Sequence, residues 1–170
     1  MRQLPLIASI VIGLIIVIGM IAYFYYHQTG ASFSNADVYI NPSNISKNDK
    51  QRFTVVLSIA PKGIKITGVE LQITYDPAKL RLQSIDPGKY GYLPVVLEKK
   101  TDVSGTIIIA LGAAPNKQKS LAHIMASLVF EPLQNGVSYI SYGADTKVVS
   151  SEKNNENIVG KKGMAKVDIH

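Results

Sequence analysis

A chain of 170 residues, 46% of them hydrophobic, with 18 Lys and Arg against 12 Asp and Glu, suits one globular domain plus a small addition. It is too apolar for a disordered chain. With no cysteine it builds no disulfide scaffold, thiolate nucleophile, zinc ribbon or iron–sulfur site. Its three histidines, His27, His123 and His170, stand far apart, which argues against a His-rich metal site.

Residues 4–26 carry no charged side chain. A run of about 20 apolar residues at 1.5 Å rise crosses a hydrocarbon core of roughly 30 Å. In lipid only a helix satisfies the backbone of such a lone span. The spacing therefore predicts a transmembrane helix through a lipid bilayer, ending in the aromatic cluster Tyr23, Phe24, Tyr25 and Tyr26 at the headgroup level. Arg2 precedes the span, and no Lys or Arg lies between Tyr26 and Lys47. The positive-inside rule then puts the amino terminus in the cytoplasm and the rest outside the cell membrane. Cleavage after Ala31, giving a secreted domain, is the alternative, but the apolar run exceeds the ~7–15 residues of a signal h-region. Residues 1–26 are thus expected to form the stub and signal anchor, 27–35 a linker, and 36–170 an extracellular domain.

Within 36–170 apolar and polar residues alternate at period two. Phe53, Val55, Leu57 and Ile59 form one such face, and Val69, Leu71, Ile73 and Tyr75 another, the pattern of antiparallel strands wetted on one side. Ile64 and Ile66 have the opposite parity, so a bulge or bend is expected at Thr67-Gly68. Further strands are expected at 37–41, 80–85, 93–98, 105–111, 121–131, 137–142 and 163–169. In 121–131 the expected core face is Ile124, Ala126, Leu128 and Phe130, leaving His123 outward. Asp76-Pro77 and Asp86-Pro87-Gly88 read as turns, and Asn135-Gly136 as a tight hairpin with positive φ. The polar stretch from Asp145 to Asn157 reads as a solvated loop. Its acidic residues Asp145, Glu152 and Glu156 alternate with Lys147 and Lys153, which disfavours calcium. About nine short strands at this spacing make an all-β sandwich or open barrel.

The sequence holds no phosphate loop, Walker motif, HExxH or GxSxG, and no catalytic residue, metal ligand or cofactor is expected. The basic residues are scattered rather than clustered with aromatics, which argues against a nucleic-acid partner. Tyr90 and Tyr92 flank Gly91 in a loop, and Tyr139 and Tyr142 lie near a strand end. These exposed-aromatic candidates, Tyr90 and Tyr92 first, offer a polysaccharide platform if the domain is a carbohydrate-binding module.

The segment from Gly68 to Gly88, with its strand ending in Tyr75-Asp76-Pro77 and a Leu at position 80, resembles a cohesin domain. So do Thr106–Gly112 and the run Leu121-Ala122-His123-Ile124. The resemblance spans roughly 36–170. It implies a nine-stranded jelly-roll β-sandwich preceded here by the transmembrane helix, and capture of a dockerin-like or other extracellular protein through an outer sheet face built on the third, fifth, sixth and eighth strands. On this chain the third strand offers Glu70, Gln72 and Thr74. The sixth offers Thr106, Ile108 and Ala110 provided that Ile107, Ile109 and Leu111 point inward, with Ile108 then an apolar anchor. The reading is then a membrane-anchored, non-enzymatic adaptor. The alternatives are a carbohydrate-binding module holding the cell to polysaccharide, or a structural cell-surface subunit.

Overall fold

In Phe53–Ala60 every second side chain is buried, and the same alternation runs through Gly68–Tyr75 and Thr106–Gly112. Each strand therefore presents one dry face, and two sheets bury these faces against each other. The structure is a computed structural model that describes residues 35–48, 51–87, 93–114 and 123–170. The expected transmembrane helix, the linker as far as residue 34, and Tyr90 and Tyr92 lie outside the described residues. Among the described residues no helix is long and apolar enough to cross a membrane.

The described strands are β1 (Ala36–Asn41), β2 (Asn44–Lys47), β3 (Phe53–Ala60), β4 (Gly68–Tyr75), β5 (Leu80–Asp86) and β6 (Val95–Thr101). They continue with β7 (Thr106–Gly112), β8 (His123–Pro132), β9 (Gly136–Tyr142), β10 (Lys147–Val149), β11 (Val159–Lys162) and β12 (Met164–Ile169). One sheet has the order β11-β1-β3-β8-β5. The other runs β2-β12-β9-β4-β7-β6, with β10 also paired to β4. The all-β sandwich is as expected, but there are twelve strands among the described residues rather than nine. The first and last segments each break and change sheet. β1 runs parallel to β11 in the first sheet, and β2 runs parallel to β12 in the second.

The core contains Val38, Val55, Leu57, Leu71, Ile73, Ile107, Ile109, Leu128, Phe130 and Val167, all fully buried. Phe130 of β8 stacks on Phe53 with ring centroids 5.8 Å apart and meets Tyr75 from the opposite sheet in a T-shaped contact at 5.1 Å. Tyr142 of β9 also crosses between sheets, its hydroxyl donating to the Tyr39 carbonyl at 3.0 Å. Burial pushes the Tyr142 phenol far above its ordinary pKa, so it remains a neutral donor.

Several turns follow their sequence. Asp76 caps its own turn, accepting from the Ala78 N–H at 2.9 Å. Gly105 closes the β6–β7 hairpin with φ +84°, and a Cβ there would fall 2.3 Å from the Tyr75 carbonyl oxygen, so both backbone conformation and space require glycine. The parity change before β4 occurs as expected: Ile66 is buried, two half-buried residues follow, and Val69 is buried again.

Three further expectations fail. Ile124 is 53% exposed, because β8 inserts an extra residue opposite Leu57 and Ser58 and buries Met125 and Ala126 consecutively. The bulge reverses the parity from Met125 backward; the His123 side chain lies outside what the structure describes. Asn135-Gly136 is no tight hairpin, since β8 and β9 belong to different sheets, although Gly136 does have φ +117°. The stretch from Asp145 to Asn157 is not a solvated loop. It holds β10 and a 3-10 turn at Ser151–Lys153, and Thr146, Val148 and Ser150 are fully buried.

Ser138 points into the core from β9 at 3% exposure, and its Oγ has no hydrogen-bond partner among the described residues. A buried hydroxyl without a partner costs its desolvation. Ser138→Ala is therefore expected to raise stability by up to about 1 kcal/mol, read as a higher midpoint in thermal unfolding. A fall of the same size would show that the hydroxyl has a partner.

Candidate functional site

The alternation that buries Leu71 and Ile73 in β4 and Ile107, Ile109 and Leu111 in β7 turns their neighbours outward. The two strands are antiparallel neighbours, and their register sets Glu70 opposite Ala110, Gln72 opposite Ile108, and Thr74 opposite Thr106. The six residues expected from the sequence thus meet as three cross-strand pairs on the outer face of the seven-stranded sheet. β6 extends the rows, with Glu98 opposite Ala110 and Lys100 opposite Ile108. Glu98 and Lys100 form an ion pair at the sheet edge.

The polar members of this set are tied within the chain. The Glu70 carboxylate meets Lys147 Nζ at 3.6 Å, and the Thr74 hydroxyl lies 3.0 Å from that of Ser141. Gln72 is held most firmly. Its Nε2 donates to Asp145 Oδ2 at 3.2 Å, and its Oε1 accepts from the Asp145 N–H at 3.1 Å. Its backbone exchanges hydrogen bonds with the Thr146 hydroxyl at 3.1 and 3.2 Å. The side chain lies across Gly143, where an added Cβ would fall 2.0 Å from Gln72 Oε1. Lys162 Nζ clamps the same segment by donating to the Gly143 and Ala144 carbonyls at 2.8 and 3.2 Å. Gln72 faces outward as expected, but its amide already serves the 143–146 segment. Thr106 sits in the Asp102 turn, where Asp102 Oδ1 accepts from the Ser104 hydroxyl and the Thr106 and Ser104 N–H groups. The Ser104 hydroxyl, with the Thr106 amide, holds the Asp102 carboxyl below its ordinary pKa.

Ile108 and Ala110 are different, since their side chains have no hydrogen bond to make. Beside them Leu97 and Val95 of β6 are 68% and 40% exposed, and Leu97 Cδ1 lies 3.5 Å from where a Cβ on Gly112 would stand. Ile108, Ala110, Gly112 and Leu97 therefore make one apolar strip bordered by charged and hydroxyl side chains. The sequence reading missed Leu97. Its signal was the run Val95-Val96-Leu97, where the alternation stops; the extra residue of a bulge lies there, between Val96 and Glu98. Among the described residues no cluster of three or more His, Asp or Glu side chains is placed to hold a metal ion.

No family model and no curated protein matches the sequence. Solved structures do match the fold. A domain named CaCohA2 from Clostridium acetobutylicum is 19% identical, with TM-score 0.65 over 79% of this chain and 90% of that one. The cohesin module of a family 33 glycoside hydrolase from Clostridium perfringens is 14% identical, with TM-score 0.65 over 80% of this chain and 97% of that one. The sixth cohesin of scaffoldin B from Acetivibrio cellulolyticus, solved in complex with a Cel5 dockerin, is 16% identical, with TM-score 0.60 over 80% and 98%. At these identities the likeness is one of fold, and by fold the described residues form a cohesin-like domain.

Proposed function

We propose that this protein is a membrane-anchored extracellular adaptor that captures a dockerin-like protein on the outer face of its seven-stranded sheet. The observation that carries the proposal is the apolar strip of half-buried Ile108 and Ala110 beside exposed Leu97, on a face whose polar side chains are already paired within the chain. A small desolvated apolar centre inside a polar rim is the usual anatomy of a protein-binding hot spot. The cohesin of scaffoldin B, which shares this fold, was solved with a dockerin bound, which supports a protein partner of that kind. The charge-free span of residues 4–26 supplies the anchor in this reading.

The test is a capture experiment on secreted proteins with the full chain, run with calcium and with a chelator, followed by surface plasmon resonance on the captured partner. Ile108→Asp is expected to weaken binding by about 2 kcal/mol or more, roughly thirtyfold, with the fold retained and a modestly lower melting temperature, since Ile108 is half-buried in a strand paired on both sides. Thr54→Asp, on the outer face of the other sheet, is expected to leave binding as it was. Equal binding by the parent and Ile108→Asp would refute the face, and a partner indifferent to chelation would refute dockerin-like recognition.

A further inference from the structure

The half of the same outer face formed by β2, β12 and β9 carries a different chemistry. The register places Lys166 opposite Tyr139 and Asp168 opposite Val137. On the other side of β12 it places Asn44 opposite Lys166 and Ser46 opposite Asp168. Burial of Ile140, Ala165, Val167 and Ile169 turns these side chains outward. The Tyr139 ring is 53% exposed, with Met164 beside it at 56%. Between β2 and β12 lies an open depression of about 230 Å³ lined by Asn44, Ile45, Ser46, Lys166 and Asp168.

We propose that this surface binds a neutral polysaccharide, one sugar ring stacking on Tyr139 and a neighbouring ring seated in the depression. An exposed tyrosine offers an apolar ring face for the C–H side of a sugar and a polar tip at its edge. Beside it stand an amide, a hydroxyl, an ammonium and a carboxylate, so every sugar hydroxyl finds a donor or an acceptor within the same small area. Lys166 Nζ and Asp168 Oδ2 lie 3.7 Å apart with both side chains about half exposed, a loose pair that cancels in net charge while remaining open to reorientation. The pair draws in a charged sugar no better than a neutral one, so binding rests on the ring stack and on hydrogen bonds, which a neutral sugar makes without losing the strong hydration of a charged group.

Size points to part of a polymer. Strands lie ~4.8 Å apart, so Tyr139 and Asn44, two strands apart, span roughly 10 Å, about two linked hexoses. The depression is smaller than the ~300 Å³ at which pockets for drug-sized ligands begin, and it is open along the sheet. The site shares no residue with the strip at Ile108, so it stands or falls independently of the protein-binding reading.

The experiment is isothermal titration of the full chain, kept in mild detergent, with soluble mixed-linkage β-glucan, xyloglucan, galactomannan and dextran, and with polygalacturonate as the anionic comparison. At least one neutral polymer is expected to bind and polygalacturonate is not. Tyr139→Ala and Asp168→Ala are expected to lower the affinity at least tenfold, with unchanged melting temperature because both side chains are on the surface. Tyr139→Phe and Ile108→Asp are expected to keep it. Failure of all four neutral polymers to bind, equal binding by Tyr139→Ala, or equal binding of polygalacturonate would each overturn the proposal.

Discussion

Phe130→Ala is expected to remove about 3–5 kcal/mol of stability. The ring is fully buried and is the one that both Phe53 and Tyr75 touch. Its loss leaves a cavity between the sheets as well as two broken aromatic contacts, each worth about 0.5–1.5 kcal/mol beyond the buried area. Against a total of ~5–15 kcal/mol for a domain, that is a large share. In urea the midpoint should fall with the slope preserved, and the melting temperature should drop by roughly 10–20 °C. A loss below about 1.5 kcal/mol would mean that the sheets close over the gap and that Phe130 does not join them.

Asp37→Asn has the second-largest expected effect, and pH gives it a signature. Asp37 is only 4% exposed, and its carboxylate accepts from Lys62 Nζ at 2.8 Å, the Lys161 N–H at 2.9 Å and the Tyr39 hydroxyl at 3.1 Å. Burial alone raises the carboxyl, but the Lys62 ammonium, the Lys161 amide and the Tyr39 hydroxyl outweigh it and hold the group below its ordinary value of 3.8. A group depressed in the folded state binds its proton more readily when unfolded. Its stabilisation is therefore complete above the unfolded pKa and is lost as the pH falls through the folded one. Asparagine keeps the shape and loses the charge, at an expected cost of about 2–3 kcal/mol near pH 7, because Lys62 is partly hydrated and finds water instead. The difference between parent and variant should hold above ~pH 5 and narrow below ~pH 4. A difference that does not change between pH 7 and pH 3 would show that the charge is not what stabilises this corner.

In β4 the outer face was legible because period-two alternation fixes parity and put Glu70, Gln72 and Thr74 outward. The run Ile107-Ile108-Ile109 does not alternate, so Thr106, Ile108 and Ala110 rested on the cohesin resemblance and on Ile107, Ile109 and Leu111 pointing inward, which their burial shows. The elements that escaped are those whose reasons lie elsewhere in the chain. β10 has one buried apolar residue, Val148, and its backbone is completed by the Asn157 side chain and by Thr67, which donates to the Val149 carbonyl at 2.9 Å. No local pattern reveals a strand stabilised by a residue some eighty positions away. β2 and β11, of four residues each, find their partners only at the far end of the sequence. Ile124 and Leu97 were misread or missed because each sits at a bulge, where one extra residue shifts the alternation and leaves composition unchanged. Gln72 was placed correctly yet is not free, since Asp145, 73 residues on, already occupies its amide.

The parallel pairing of the first two strands with the last two, β1 with β11 and β2 with β12, has a mechanical consequence. Ala36 lies beside Val159, and Lys47 beside Ile169, so the start of one ribbon and the finish of the other sit at opposite ends of the sandwich. A tension that draws Ala36 and Ile169 apart slides the two ribbons along each other instead of peeling them. The bonds from the Ala36 amide to Ile158, from Gly163 to Val38, from Lys166 to Ser43 and from His170 to Lys47 then bear the load side by side. They have to rupture nearly together, and the force at which the domain yields is set by their joint strength rather than by the weakest of them.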